Sequence, residues 1–146
     1  MSAGPPAWTS IHVSDEIPLS DGGRLVEIWP RTGGRTFKEG WPSVYSANHN
    51  VLRLDAAGNV IWQIKRDDKG HINWDYLNAE AKAEDPQTEG YFDPFWNMAL
   101  DERHAPAPQP AGVYRPGCKV YLTTRWWGYE LDVETGVATC TGEQIK

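Results

Sequence analysis

Cysteine is almost absent from this chain: 146 residues contain two, Cys118 and Cys140. A disulfide scaffold is thereby excluded, and a chain of roughly 150 residues can bury about 68–70% of the surface it exposes when unfolded, enough for a core without covalent staples. Long apolar runs are missing as well. Nothing approaches the roughly 18 residues of a membrane span, and the amino-terminal region lacks a basic start followed by an apolar stretch. We therefore expect one domain over residues 1–146, cytoplasmic, with both thiols reduced and no membrane partner.

Catalytic and cofactor motifs at their required spacing are lacking too. No Ser or Cys sits in a nucleophile elbow, and Thr32-Gly33-Gly34-Arg35 lacks the Gly-Lys-Ser/Thr ending of a phosphate loop, so it reads as a hairpin turn. The histidines, His12, His49, His71 and His104, form no paired ligand spacing. Asp67-Asp68-Lys69-Gly70-His71 lacks the alternating oxygen ligands of a calcium loop and reads as a charged turn. No metal and no cofactor are expected.

Basic residues are the minority, 14 against 20 acids, for a formal charge of −6. The imbalance is local. Between Asp67 and Glu102 ten acids face two bases, a charge of −8, while the rest of the chain carries +2. Such a field repels nucleic acid and anionic membrane and steers a basic partner toward the molecule.

The sequence also repeats itself. Ser43–Ala47 leads through Asn48-His49-Asn50 into Val51–Asp55, then through Ala56–Asn59 into Val60–Ile64. Later, Lys119–Thr124 leads through Arg125-Trp126-Trp127-Gly128 into Tyr129–Asp132, then through Val133–Gly136 into Val137–Cys140. Leu54-Asp55 matches Leu131-Asp132 and Gly58 matches Gly136. β-Branched and aromatic runs punctuated by Asn, Asp and Gly predict a three-strand meander for each copy, residues 43–64 and 119–140. Asp21–Trp29 is a partial third copy holding only the turn and last strand. These residues resemble the blade repeat of quinoprotein-type β-propellers, whose pattern is an extended pair ending in Leu-Asp, a tight turn and a strand closing on Trp. Trp62 stands where that docking Trp would sit, and Cys140 occupies the equivalent place in the second copy. The resemblance covers about a third of the chain. It implies strands and turns, and it carries over neither the quinone cofactor nor its binding residues; a closed propeller, which needs four or more blades, is excluded.

Between the copies the pattern changes. Asn73 caps a predicted helix from Trp74 to Glu84, with Trp74, Leu77 and Ala81 on one face and Asp85-Pro86 ending it. Asp93-Pro94 predicts a second helix over Phe95–Arg103. Residues 105–110, rich in Pro and Ala, read as a stiff connection, and 1–8 as a flexible arm. The expected fold is mainly β: two antiparallel three-strand meanders packed together, with a helical acidic insertion over 67–110.

For function, large aromatics beside that insertion are the clue. Tyr91 and Trp96 belong to a dense aromatic run, and Trp126-Trp127 falls in a predicted turn where both rings cannot face a core. With Asp75, Glu80 and Glu84 they form a candidate partner-binding set. The expectation is a non-enzymatic intracellular interaction module, of inhibitor or immunity type, for a protein with a basic surface. Two alternatives stand beside it: a carbohydrate-binding module using Trp96, Trp126 and Trp127, and a small hydrolase using a carboxylate pair such as Asp75 and Asp93.

Overall fold

A computed structural model describes residues 13–28, 48–87, 90–105 and 111–145. The expected arm at 1–8, the Thr32–Arg35 turn, the Ser43–Ala47 strand and most of the 105–110 connection lie outside them. The described residues are mainly β. One sheet holds β1 (Val13–Pro18), β2 (Arg24–Ile28), β3 (Val51–Leu54) and β4 (Val60–Gln63) in that order, all antiparallel. A second holds β5 (Lys65–Asp67), β9 (Val137–Gln144), β8 (Trp127–Leu131), β7 (Lys119–Thr123) and β6 (Asn97–Asp101). Its strands are antiparallel except for β5, which runs parallel to β9.

The later repeat is the meander β7–β8–β9, and the earlier one contributes the hairpin β3–β4. Both hairpins turn on the same device. In each, the Asp after the Leu accepts backbone N–H groups on its side chain, Asp55 from Ala57 and Asn59 and Asp132 from Glu134 and Thr135, and the Gly that follows has positive φ. Gly136 has a second constraint. A Cβ there would lie 2.7 Å from the ring of Trp62, whose indole N–H donates to Val133 O across the sheets at 2.9 Å.

Three expectations need correcting. β3 has β2 on one edge and β4 on the other, so the place given to Ser43–Ala47 belongs to Arg24–Ile28, the last strand of the partial copy. Trp127 opens strand β8 instead of lying in the turn, and its ring packs against the core. Where a helix is predicted over Phe95–Arg103 the chain forms the strand β6, so among the described residues of 67–110 the helix is confined to α1 (Trp74–Glu84). The cause lies in two buried side chains upstream. Asn48 accepts from Asp93 N–H at 2.6 Å and Asn50 from Phe95 N–H at 2.9 Å, which are alternate residues, the spacing of extended chain. Asn50 also donates to Phe95 O and Ile28 O, tying the segment to the first sheet.

The core lies between the sheets. Two cross-strand rows of the second sheet face it, Met98–Leu122–Tyr129–Cys140 and Leu100–Val120–Leu131–Ala138, against Ile17, Leu25, Val51 and Ile64 from the first. Glu27 sits on the same face of β2 as Leu25, opposite Val51, and is fully buried. Ser14 Oγ donates to its Oε2 at 2.8 Å, while Oε1 has no hydrogen-bond partner. Burial pushes this carboxyl up to about 7, against the Ser14 hydrogen bond and with help from Asp15.

α1 begins where the cap residue predicts: Asn73 Oδ1 accepts Tyr76 N–H at 3.0 Å. Trp74, Leu77 and Ala81 are half-buried on one face, yet no residue of the helix is fully buried. With so little packing, capping carries much of its stability. Asn73→Ala is expected to cost about 1 kcal/mol, seen as faster amide exchange confined to residues 74–84. Among the described residues no helix is long and apolar enough to cross a membrane.

Candidate binding surface

Arg66, on β5, organises the region where the sequence places its candidates. Its side chain is 2% exposed, as is that of Asp93. The guanidinium lies about 5 Å from the ring centroids of Trp74, Phe95 and Tyr129, at 5.0, 4.9 and 5.1 Å. It donates to Asp93 O at 2.7 Å, to Asp93 Oδ2 at 3.2 Å and to the Tyr129 hydroxyl at 2.8 Å, with Asp68 at 3.6 Å. Tyr129 in turn donates to Asp68, which also accepts the Trp74 indole N–H at 2.5 Å. Phe95 meets Tyr129 edge-on, 5.2 Å between centroids.

Burial opposes the charge on Arg66, but Tyr129, Asp93 and Asp68 more than compensate and hold it above its ordinary range. Burial also pushes the Tyr129 hydroxyl and the Asp93 carboxyl up, the latter against Arg66 and the backbone N–H of Arg125. At neutral pH, then, the tyrosine is a neutral donor and the arginine a fixed cation. These groups engage one another and Arg66 and Asp93 are sealed, so the cluster acts as a structural knot. It ties together two segments: the start of α1 through Trp74 and the extended run Tyr91–Trp96 through Asp93 and Phe95.

On that base stand the exposed rings. Trp96 is 50% and Trp126 45% exposed. Trp126 Nε1 donates to the Tyr91 hydroxyl at 3.0 Å, and Tyr91 N–H donates to Asn78 Oδ1 on α1 at 2.7 Å. Trp96 N–H is held by Thr123 O at 2.8 Å. The surface therefore runs without a break from α1 through Tyr91 and Trp126 to the turn and Trp96. Asp75, Glu80 and Glu84 are exposed on α1, Asp75 on one side and the two glutamates on the other side of the face carrying Trp74, Leu77, Asn78 and Ala81. Trp127 stands apart from the other rings: it is half-buried against the core and lies 5.1 Å from the His71 ring. Asp75 and Asp93 do not share an environment, since one is exposed on α1 and the other is closed onto Arg66.

Sequence reasoning missed three contributors. Tyr76 is 58% exposed on α1, a place its position one turn before the exposed Glu80 gives it. Arg125 is exposed with its guanidinium 5.1 Å over the Trp126 ring. Arg66 carried no signal in sequence, because an Arg between charged residues reads as solvated surface. Asp67 ends β5 and Asp68–His71 is a turn, with Lys69 and Gly70 at positive φ; among the described residues no three His, Cys, Asp or Glu side chains are placed to hold a metal ion.

Compared with protein-family models, with curated proteins and with solved structures, the chain finds no match.

Proposed function

We propose that this chain is a protein-interaction module, of inhibitor or immunity type, that binds a partner with a basic surface. One observation carries the reading: two half-exposed tryptophans, Trp96 and Trp126, are held on a rigid buried knot and are continuous, through Tyr91, with a helix that keeps Asp75, Glu80 and Glu84 in solvent. Rigid exposed aromatics are the residues that dominate interface energetics, because they lose little freedom on binding, and the acids supply long-range steering. The same acids repel phosphate, which favours a protein over a nucleic acid as partner.

Capture of the partner at low salt, followed by kinetics with the purified protein, tests this. The combined change Asp75→Asn, Glu80→Gln and Glu84→Gln should slow association about tenfold at low ionic strength, and added salt should slow the unmodified protein likewise. Trp96→Ala and Trp126→Ala should each speed dissociation by roughly tenfold or more, with little salt dependence. Association that ignores both salt and the triple change overturns the reading. A second reading, sugar binding, draws on the Trp96 ring standing beside the polar Asn97 and Thr123; ring stacking on a glycan would be almost insensitive to salt.

A further inference from the structure

Next to the aromatic surface is a shallow groove of about 220 Å³, lined by Trp96, Asn97, Thr123, Thr124, Arg125 and Ile145. Small-molecule sites span roughly 300–1,000 Å³, so this one has room for about one amino-acid residue. Its walls are fixed. Trp96 N–H donates to Thr123 O at 2.8 Å, Ile145 N–H to Trp126 O at 2.7 Å, and the buried Thr124 hydroxyl accepts from Trp127 N–H at 3.2 Å.

Two walls, Trp96 and Ile145, are apolar, and one carries a charge. Arg125 forms no ion pair with any described carboxylate. The Arg125 guanidinium lies over the Trp126 ring, 5.1 Å from its centroid, and a guanidinium without a carboxylate partner can grip one through two parallel hydrogen bonds. The required ligand has an apolar group and a carboxylate within one residue's reach. An internal Asp or Glu brings the charge without the apolar side chain. The last residue of a polypeptide brings both on a single α-carbon.

We propose that the groove receives the C-terminal residue of the partner chain, its apolar side chain between Trp96 and Ile145 and its α-carboxylate on Arg125. This rests on the docking of a basic partner argued above and specifies which end of that partner is held. Basic residues upstream of the terminus would then face α1.

Dye-labelled peptides ending in leucine, with either three lysines or three serines upstream, each prepared as the free acid and as the C-terminal amide, separate the two ideas when titrated against the full chain. The free acids should bind at least tenfold more tightly than the amides in both series. Arg125→Gln should erase that preference while leaving the amides' affinity unchanged, which also shows that the variant is folded. Equal affinity of acid and amide, a preference that survives Arg125→Gln, or no binding by any peptide overturns the proposal; so does binding of an acidic oligosaccharide in place of the peptides. A lysine series no tighter than the serine series would count against the basic partner instead, with the ratio of acid to amide still deciding the groove.

Discussion

Arg66→Met should lower the unfolding free energy by about 3–5 kcal/mol, measured as a shift of the urea midpoint at unchanged slope. Methionine keeps most of the stem's volume, so the loss is chiefly electrostatic. Asp93, 2% exposed, would keep a desolvated carboxyl without its cation, and Tyr129 and Asp68 would lose theirs too. Domains of this size are stable by only about 5–15 kcal/mol, so the loss would be a large share of the total. The companion change discriminates. If the cost arises from stranded charge, adding Asp93→Asn to Arg66→Met should restore part of the stability; a double variant as unstable as the sum of the two single ones would mean that packing of the three rings, and not the ion pair, holds the knot together.

Glu27→Gln should have the opposite sign, and only at one end of the pH range. The folded carboxyl titrates at about 7 and the unfolded one at 4.5, so between those values the folded state holds a proton that the unfolded state releases. The stability contributed by the protonated form is therefore fully present below pH 4.5, declines as pH rises, and is lost above about 7. The drop should amount to roughly 3 kcal/mol across that window. Glutamine removes the proton from the balance while keeping an oxygen for the Ser14 hydroxyl. Unfolding curves at pH 5 and pH 8 are the check: wild type should be clearly less stable at pH 8, and the variant should show a smaller difference and be the more stable protein there. Parallel pH profiles for the two proteins would mean that Glu27 is accommodated as a carboxylate.

Local signals carried much of the fold. Val51–Leu54, Val60–Gln63 and the three strands after Lys119 are alternating or β-branched runs closed by Asp and Gly turns, and the chain obeys them. Asn73 announces α1 because a cap acts within its own turn. What failed was decided at a distance. Asp93-Pro94 is a good helix start in isolation, but the N–H groups at Asp93 and Phe95 are claimed by Asn48 and Asn50, about 45 residues earlier. Nothing near Phe95 encodes that. Likewise, which strand borders β3 depends on chain that approaches from before Ser43, and a repeat in sequence does not state which copy of a strand fills a place in the sheet. At the surface, the aromatic and acidic residues were legible by type. Their separation into the exposed rings of Trp96 and Trp126 and the packed ring of Trp127 was not, since it follows from where β8 begins. Arg125 and the knot beneath it became visible only when β5, the Tyr91–Trp96 run and the β7–β8 turn met in space.

The passage from one sheet to the other bears on the order of events during folding. Ile64 N–H still bonds to Val51 O in the first sheet, and the next residue, Lys65, already donates to Gly136 O in the second. Among the described residues the strand partner of β5 is β9, about 70 residues further along the chain. Closing so long a loop for three residues of parallel pairing yields little until the β7–β8–β9 meander exists to receive it. The hairpin β3–β4 and the later meander are contacts of short range and can form independently, during synthesis in the order in which they emerge. Docking of β5 onto β9 is therefore expected to come late, and because Arg66 rides on β5, the packing beneath the tryptophan surface would be completed at that step.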